Sequence, residues 1–343
     1  MPSPKPKATR HPLKNTRAFQ QALVRWFENE GKNYPWRDTA DPWAILVSEI
    51  MLQQTQIATV LGKGHYLRFM ALYPTPRDMA EATEQEILKV WEGLGYYRRA
   101  RNLHAAARAI TRDHQGNFPR KFEQIRALPG IGQYTAGAVA SFAYNDPQPI
   151  VDANVARVFS RLFDFQERID TTAGTKQLWQ WAEQLLPDKS PRDYNSALME
   201  LGQTFCSNKS PDCTNCPVKS FCHCADPTPL PLKKAATQVT RVDEFAVFAT
   251  DSHGRILLQQ QQEGKRRAGM WSLPRRDHEH TLDLALSLKT TYAITRYHVT
   301  LRVYTSHADQ TEAQDLEEWH SLDSIGSLPM PSPDRRALES LLA

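Results

Sequence analysis

The stretch that decides the fold is residues 128–155, which read LPGIGQYTAGAVASFAYNDPQPIVDANV. The Leu-Pro-Gly-Ile-Gly turn precedes a run of small residues that favours a helix beginning near Tyr134. Gly130 and Gly132 let the backbone approach a ligand closely, and the amides that start the next helix form an anion site. An ordinary turn between two helices explains the same residues equally well. The stretch predicts a helical hairpin, and a DNA phosphate fits its turn.

Asp152 lies between the apolar run PIV and the helical pattern NVARVFSRLF. A carboxylate at this place is a favourable helix N-cap, and the helix dipole is expected to hold it ionised. At the mouth of a cleft, an ionised carboxylate would also stabilise a cationic sugar while a glycosidic bond breaks. Capping and this chemical role both remain open on the residues alone.

The composition bounds the class of protein. The 343 residues suffice for two or three domains, and the formal net charge of +4 permits nucleic-acid binding without arguing for it. The segment MPSPKPKATRHPLK, residues 1–14, predicts a disordered basic tail. No apolar run approaches the ~18 residues of a membrane span, so a cytoplasmic protein is expected.

Helical patterns dominate from Asn15 to Cys206. Apolar pairs recur every four residues in AFQQALVRWFENEG, and one long helix is expected from Trp43 to Leu61. The helix boundaries are read from Gly31, Asp41-Pro42, the capping box Thr83–Glu86, and Ser190-Pro191.

Beyond a proline- and lysine-rich linker at 227–240, the apolar period changes from 3.6 to 2. EFAVFAT and RILLQQQ flank a hairpin turn at 251–254, and VTLRVYT places alternate apolar residues on one face. Ser332-Pro333 opens a terminal helix. Residues 241–343 are therefore expected to form a second domain of mixed α/β type.

All five cysteines fall within residues 206–224. The spacing Cys206-x6-Cys213-x2-Cys216-x5-Cys222 suits either a structural zinc or an iron–sulfur cluster. Zinc sites favour two closely spaced pairs, whereas here only the middle pair is close. The spacing favours one [4Fe–4S] cluster, with Cys224 left over.

The hairpin, the aspartate and this cysteine spacing together resemble the endonuclease III superfamily of DNA glycosylases over residues 15–222. The resemblance implies that Cys206, Cys213, Cys216 and Cys222 ligate [4Fe–4S], and that Lys209 and Lys219 face DNA. It also implies that Leu128, Gly130 and Gly132 contact DNA, and that Asp152 is catalytic with Asn154 beside it. The sequence reads Asp152-Ala153-Asn154 where the family usually has Asp-Gly-Asn, which affects the local backbone geometry.

Glu49 is the acidic residue of the helical segment WAILVSEIMLQQTQIATVL. Its neighbours one turn away are largely apolar, so desolvation should raise its pKa and suit it to act as a general acid. A glutamate at the edge of the apolar stripe, reaching solvent, is the alternative. SEIMLQQTQ, residues 48–56, resembles the signature helix of MutY-type adenine DNA glycosylases.

This closer resemblance implies further roles. The glutamate protonates adenine, Gln54 wedges into the duplex, and Tyr96 of GLGYYRRARNLH intercalates beside 8-oxoguanine. Trp36 and Arg37 line the adenine pocket. Ser196 departs from the glutamine or glutamate usual near the base edge.

Tyr134 stands where bifunctional relatives carry a lysine that attacks the sugar. A phenol cannot form the resulting Schiff base. The resemblance therefore implies a monofunctional glycosylase that leaves an abasic site, with Tyr134 lining the catalytic pocket.

The C-terminal region carries GMWSLP at 269–274, which resembles the Nudix-like domain of these enzymes. LDLALSLKTTY lacks the paired glutamates that bind Mg²⁺ in active Nudix hydrolases, so a binding module is expected. His298 of RYH matches the lesion-reading loop of the family through its histidine alone, and it could equally be a sheet-surface histidine.

The expected fold is a mainly α glycosylase region at 15–226, with a six-helix barrel and an iron–sulfur cluster domain, joined to an α/β Nudix-like domain at 241–343. The expected partner is double-stranded DNA with an A:8-oxoguanine or A:G mismatch. A nucleoid-associated monomer is expected, with proteins that process abasic sites as further partners. The alternatives are a T:G mismatch glycosylase of the same superfamily and a non-catalytic iron–sulfur DNA-binding protein.

Overall fold

The structure is a computed structural model that describes residues 13–235, 238–265, 267–307 and 313–343. The chain divides into two compact units, each built from two separate segments. Unit 1 comprises Met1–Ile50 and Asn117–Ala235, and unit 2 comprises Met51–Gly116 and Ala236–Ala343. None of the helices in the described ranges is long and apolar enough to cross a membrane.

Among the described residues up to 235, the regular secondary structure is helical. The helices are α1 (Thr16–Glu30), α2 (Pro42–Leu52), α3 (Ile57–Gly62), α4 (His65–Leu72), α5 (Pro76–Glu81), α6 (Glu84–Val90), α7 (Arg98–Asp113), α8 (Phe122–Arg126), α9 (Gln133–Tyr144), α10 (Ala153–Leu162), α11 (Thr172–Leu185) and α12 (Pro191–Thr204). The C-terminal region adds β1 (Thr240–Thr250), β2 (Ile256–Gln260), β3 (Trp271–Ser272), β4 (Arg275–Arg276), β5 (Ala285–Ile294), β6 (Tyr297–His307), β7 (Glu317–His320), α13 (Leu322–Ile325) and α14 (Ser332–Leu342). A helical N-terminal part and a mixed α/β C-terminal part confirm the predicted fold class.

Unit 1 buries one apolar core between α1, α10, α11 and α12. Phe19 and Leu23 of α1 are completely buried, and the ring of Phe19 meets Tyr194 of α12 edge-on at 6.4 Å. These two residues are four apart, so they lie on one face of the helix. The apolar pairs read from the sequence therefore face this core.

Several helix boundaries are confirmed. The Asp41 carboxylate accepts from the Trp43 amide at 3.0 Å at the start of α2. Thr83 and Glu86 form a complete capping box at α6. Each cap satisfies amides that lack partners in the first turn.

The single helix expected from Trp43 to Leu61 is wrong. α2 ends at Leu52 and α3 begins at Ile57, with Gln54 between them in the left-handed region at φ 57°. The carbonyls of Met51 and Gln53 accept from the guanidinium of Arg99, 48 and 46 residues further on. A distant side chain thus satisfies the end of α2, and apolar periodicity cannot reveal such a contact.

The C-terminal sheet has the strand order β3-β2-β1-β6-β5, with β4 paired to β1 and β7 paired to β2. β1 and β6 are parallel, whereas the other pairs are antiparallel. Residues 246–249 of β1 are buried on both faces, which explains the nearly continuous apolar run of EFAVFAT. The predicted hairpin at 251–254 joins β1 to β2, and Val299, Leu301 and Val303 share the core face of β6.

Within unit 2, residues 51–116 and the C-terminal region contact each other directly. The Gln85 amide of α6 donates to the Gly269 carbonyl at 2.8 Å. Arg335 of α14 pairs with Glu92, which follows α6, at 2.8 Å. The Tyr97 hydroxyl lies 3.5 Å from the Met330 carbonyl. The loop that leads into α7 is therefore held against the C-terminal region.

Candidate active site

Glu49 points into the interior of unit 1 from the last full turn of α2. Only 6% of the residue is exposed, so the solvent-reaching alternative is wrong. Desolvation is the largest influence on the carboxyl, and the charge of Asp152 adds to it. Together they raise the pKa of Glu49 to about 7, against opposing effects of Tyr134 and Arg37. The raised pKa expected from the apolar stripe is confirmed.

Tyr134 lies in the first turn of α9 and reaches Glu49. Its hydroxyl donates to Oε2 of Glu49 at 2.8 Å, and Sδ of Met199 lies 3.8 Å from the same hydroxyl. Burial and the neighbouring carboxylates raise the pKa of Tyr134 well above its ordinary value, so the phenol stays protonated. This hydrogen bond favours the ionised form of Glu49 and keeps its pKa from rising further.

Asp152 is the N-cap of α10, as the sequence predicts. Its carboxylate accepts from the Val155 amide at 2.7 Å and from Nδ2 of Asn154 at 2.9 Å. Desolvation raises the pKa of Asp152 above its ordinary value, and these hydrogen bonds and the charge of Arg157 oppose that rise. Ala153 is the first residue of α10 and its φ is not positive, so the departure from glycine introduces no backbone strain.

A chain of hydrogen bonds runs from Asp152 to the first cysteine. Nη2 of Arg157 donates to Oδ1 of Asn154 at 2.8 Å and to the Gly202 carbonyl at 2.6 Å. Nε of Arg157 donates to the Cys206 carbonyl at 2.8 Å. Sequence reasoning missed Arg157, although an arginine within the buried pattern of α10 was a usable signal. The cysteine segment thereby supports the residue that orients Asp152.

Gly202 allows α12 to pass close to the start of α10. A Cβ atom at this position would lie 2.7 Å from Cβ of Asn154 and 3.3 Å from its main chain. Real Cβ atoms do not approach that closely, so the crossing requires glycine. The close crossing fixes where Asn154 presents its amide to Asp152.

Arg37 and Trp36 lie in the loop between α1 and α2, and Arg37 contacts α12. Arg37 pairs with Glu200, which is 1% exposed and also accepts from the Lys32 amide at 2.7 Å. The Arg37 guanidinium lies 4.8 Å from the ring centroid of Tyr34, and that ring stacks on Trp36 at 5.3 Å. The sequence analysis missed Glu200, and a lone acid in the buried stretch SALMELG was the available signal. Ser196 is also buried on α12.

The turn between α8 and α9 has the predicted hairpin form. Leu128 is buried at its base, and Gly130 adopts φ 74°, which favours glycine. Gly132 is the exposed N-cap of α9, and no atom within 4 Å would meet a Cβ placed there. Packing inside the protein therefore does not require glycine at position 132.

The cysteine segment follows α12 and is organised around Arg161. Arg161 is 2% exposed and donates to the carbonyls of Ser207 at 2.7 Å and Pro227 at 3.0 Å. Burial raises the pKa of Cys216 to about 11, and the charges of Cys206, Cys222 and Cys213 add to this rise. Over the residues described, no three Cys, His, Asp or Glu side chains are grouped to hold a single metal ion. Lys209 and Lys219 are exposed beside this segment.

The remaining candidates belong to unit 2. Gln54 is exposed between α2 and α3, and Tyr96 is 44% exposed just before α7 at φ 47°. His298 is exposed on β6, between Arg241 of β1 and Ala293 of β5. The structure thus gathers Glu49, Tyr134, Asp152 and Asn154 within unit 1, and it brings Gln54 near Tyr96 through Arg99 within unit 2.

Both the helical region and the C-terminal region resemble known protein families. Residues 47–184 match the HhH-GPD superfamily base excision DNA repair protein family, and residues 245–340 match the NUDIX domain family. Among solved structures, a thermostable thymine-DNA glycosylase has a TM-score of 0.56 and 32% identity, covering 61% of this chain and 96% of that chain.

Two similar curated proteins are both adenine DNA glycosylases. The human adenine DNA glycosylase is 42% identical over 214 residues, which cover 60% of this chain and 39% of that protein. This chain thus spans less than half the length of the mammalian relatives that it matches. The adenine DNA glycosylase of Mycolicibacterium smegmatis is 38% identical over 237 residues, covering 68% of this chain. Because 78% of that protein is matched as well, the chain belongs to the MutY-type adenine DNA glycosylases of the HhH-GPD superfamily.

Proposed function

We propose that this protein is a monofunctional adenine DNA glycosylase that removes adenine paired with 8-oxoguanine or guanine and leaves an abasic site. The observation that carries the proposal is the buried Glu49, whose pKa of about 7 keeps a large fraction of the carboxyl protonated at neutral pH. A proton donor with such a pKa suits the release of a nitrogen base. The names of the relatives agree with this activity.

In this mechanism the target adenine leaves the base stack, at a cost of a few kcal/mol, and is placed against Glu49. Glu49 donates its proton to N7 of adenine, and the bond between C1′ and N9 breaks with both electrons going to the base. Tyr134 then stabilises the Glu49 carboxylate through the 2.8 Å hydrogen bond that its hydroxyl donates. Trp36 and Arg37 form the wall of the adenine pocket.

Asp152 is proposed to stabilise the cationic sugar. Asn154 and the Val155 amide each donate a hydrogen bond to the Asp152 carboxylate and so fix its orientation. A water molecule then adds to C1′ and passes its proton to the Glu49 carboxylate, or Asp152 itself forms a transient bond to the sugar before water displaces it with the same proton transfer. Since Tyr134 is not an amine, no Schiff base forms at that position and the strand is not nicked.

DNA is the proposed partner of the hairpin and of the exposed lysines. The open surface at Gly132 would admit a phosphate at the N-terminus of α9, and Leu128 and Gly130 hold the turn in shape. Lys209 and Lys219 would add contacts to the backbone of the duplex. Gln54 and Tyr96 are proposed to enter the duplex, and His298 to help read 8-oxoguanine.

A [4Fe–4S] cluster is proposed to be held by Cys206, Cys213, Cys216 and Cys222. Three of these cysteines, Cys206, Cys216 and Cys222, pack against the core of unit 1, and the sulfurs of Cys206 and Cys222 both contact Arg161. Thiolates are the usual protein ligands of iron–sulfur clusters. When bound, the cluster ties the segment together and so supports the Arg157 contacts that lead to Asp152. We expect iron in the purified protein, lost in Cys213→Ser and kept in Cys224→Ser. One zinc and no iron by elemental analysis would contradict the assignment.

A thymine–guanine mismatch glycosylase is the second candidate, because the similar thermostable structure is a thymine-DNA glycosylase. The deciding experiment measures base release under single-turnover conditions from duplexes that contain A:8-oxoguanine, A:G, T:G or thymine glycol. Adenine release from the first two alone supports the proposal, and thymine release from T:G supports the second candidate. Binding without release from any duplex would mean a non-catalytic DNA-binding protein.

A further inference from the structure

We infer that Arg99 is a positioning residue that ties together the two loops carrying Gln54 and Tyr96, so that both side chains enter the duplex as one rigid pair. The inference deepens the proposed function and rests on it. All the residues concerned belong to unit 2.

Nη1 of the Arg99 guanidinium holds the loop that carries Gln54. Nη1 donates to the Met51 carbonyl at 2.7 Å and also to the Gln53 carbonyl. Both carbonyls lie at the end of α2, where the helix can no longer satisfy them. Gln54, which directly follows Gln53, is exposed and has a left-handed backbone conformation.

Nη2 of the Arg99 guanidinium holds the loop that carries Tyr96. Nη2 donates to the Leu94 carbonyl at 3.0 Å and to the Gly95 carbonyl at 3.1 Å. It also donates to Oγ1 of Thr55 at 3.0 Å, which links it to the Gln54 loop again. The two nitrogens of one planar group therefore span both loops.

The conformation of both loops needs this support. Gln54 and Tyr96 have φ values of 57° and 47°, a region that costs non-glycine residues about 1 kcal/mol or more. The Arg99 guanidinium also lies 5.6 Å from the ring centroid of Tyr96. It is 7% exposed, and this burial lowers its pKa to about 10, so it remains charged at neutral pH.

Lysine cannot replace this arrangement. A guanidinium presents donors on both nitrogens in a fixed plane, whereas an ammonium is a single point with three donors. Arg99→Lys keeps the charge but should hold one loop at most. The two loops would then lose their fixed separation while the catalytic residues of unit 1 keep theirs.

The test compares two substrates that differ in how much the duplex must be opened. Arg99→Lys should slow adenine release from A:8-oxoguanine at subsaturating enzyme by about tenfold, within the range for residues that share one hydrogen-bond network. Adenine opposite an abasic-site analogue is already poorly stacked, so opening costs less and the loss should stay below about threefold. Arg108→Lys, on the exposed face of the same helix, is the matched control and should lose nothing on either substrate.

A mutant cycle tests whether Arg99 acts through Gln54 and Tyr96. In a Tyr96→Ala, Gln54→Ala background, Arg99→Lys should cause little further loss, since the pair that it positions is absent. An equal loss on both substrates, or a full additional loss in this background, would overturn the inference and leave a purely structural role. A wild-type protein that releases no adenine would instead overturn the proposed function.

Thr55→Val provides a milder variant if Arg99→Lys does not fold. It removes one acceptor of Nη2 and keeps the shape of the side chain. The same preferential loss on A:8-oxoguanine, by a few fold, is expected. Faster amide hydrogen exchange in residues 51–56 and 93–97 of the free variant is also expected, and unchanged exchange together with an equal loss on both substrates would overturn the inference.

Discussion

At the scale of single residues, two carboxyls with raised pKa values are assigned opposite tasks. Glu49 has few groups that stabilise its charge, whereas Asp152 accepts hydrogen bonds from an amide and from Asn154. Hydrogen bonds to the charged form favour ionisation. The environment therefore suits Glu49 to carry a proton and Asp152 to carry a charge.

The pH dependence of the reaction should report Glu49. Because its pKa is about 7, the rate at subsaturating DNA should fall about tenfold per pH unit above that value. Tyr134→Phe removes the hydrogen bond that favours the carboxylate, so the pKa of Glu49 rises and the alkaline limb moves to higher pH. Tyr144→Phe, the same change on the same helix, should leave the limb in place. A limb that does not move in Tyr134→Phe would contradict this account.

Stability should also depend on Glu49. A carboxyl whose pKa is raised by folding contributes stability below its ordinary value of 4.5, and that contribution is lost as pH rises through about 7. Glu49→Gln should therefore be more stable than wild type at pH 8, by about 3 kcal/mol at most, and should show little difference at pH 4. Thermal unfolding at the two pH values measures this, and a variant less stable at pH 8 would exclude a buried ionised Glu49.

The amide variants Glu49→Gln and Asp152→Asn should each slow adenine release by about 10²-fold or more, for different reasons. A substrate adenine with carbon in place of N7 separates them, because it cannot accept the proton of Glu49. Wild type should scarcely cleave this substrate, so Glu49→Gln has little more to lose on it. Binding of an uncleavable duplex should survive in both variants. Normal cleavage of the carbon analogue by wild type would refute proton donation to N7.

At the scale of elements, the site depends on how closely α12 passes the start of α10. Gly202→Ala places a methyl group 2.7 Å from Cβ of Asn154, so α10 or α12 must shift. We expect a loss of stability of about 1–3 kcal/mol together with a loss of adenine release. Gly62→Ala, where a Cβ meets no atom within 4 Å, is the control and should be neutral. Retained activity and stability in Gly202→Ala would show that the crossing tolerates a wider spacing.

Local signals in the sequence predicted several of the elements, because caps and apolar periodicity act within a few residues. The box at Thr83 and Glu86 and the cap at Asp152 are of this kind. The break after Leu52 was missed, since it is stabilised by a side chain 46–48 residues away.

The same limit applies to the site. Glu49 could be predicted from the apolar residues around it in its own helix. Glu200 and Arg157 were missed because their roles appear only through partners 163 and 49 residues away in sequence. Such pairings require the fold, and no local pattern of charge predicts them.

At the scale of the whole molecule, the C-terminal region and residues 51–116 form one unit through partly buried polar contacts. The side chains of Arg335 and Glu92 are 15% and 16% exposed in their ion pair. A double-mutant cycle of Arg335→Ala and Glu92→Ala should show a coupling of about 1 kcal/mol in the unfolding of unit 2. Arg336→Ala, the adjacent arginine of α14, is the control and should show no coupling to Glu92→Ala. If the effects of Arg335→Ala and Glu92→Ala on the free energy of unfolding were strictly additive, solvent would already screen this ion pair.

The interleaving of the two units along the chain has a consequence for synthesis on the ribosome. Residues 51–116 emerge before their partner segment, and residues 117–235 are translated in between. At 5–20 residues per second, about 6–24 s pass before the first residue of the partner segment is added, and unit 2 lacks its sheet throughout this time. Nascent chains arrested near residue 235 should therefore be cut by protease within 51–116, and the 343-residue chain should resist. Unit 2, which is proposed to open the duplex, can therefore complete its fold only after all of unit 1 has been synthesised.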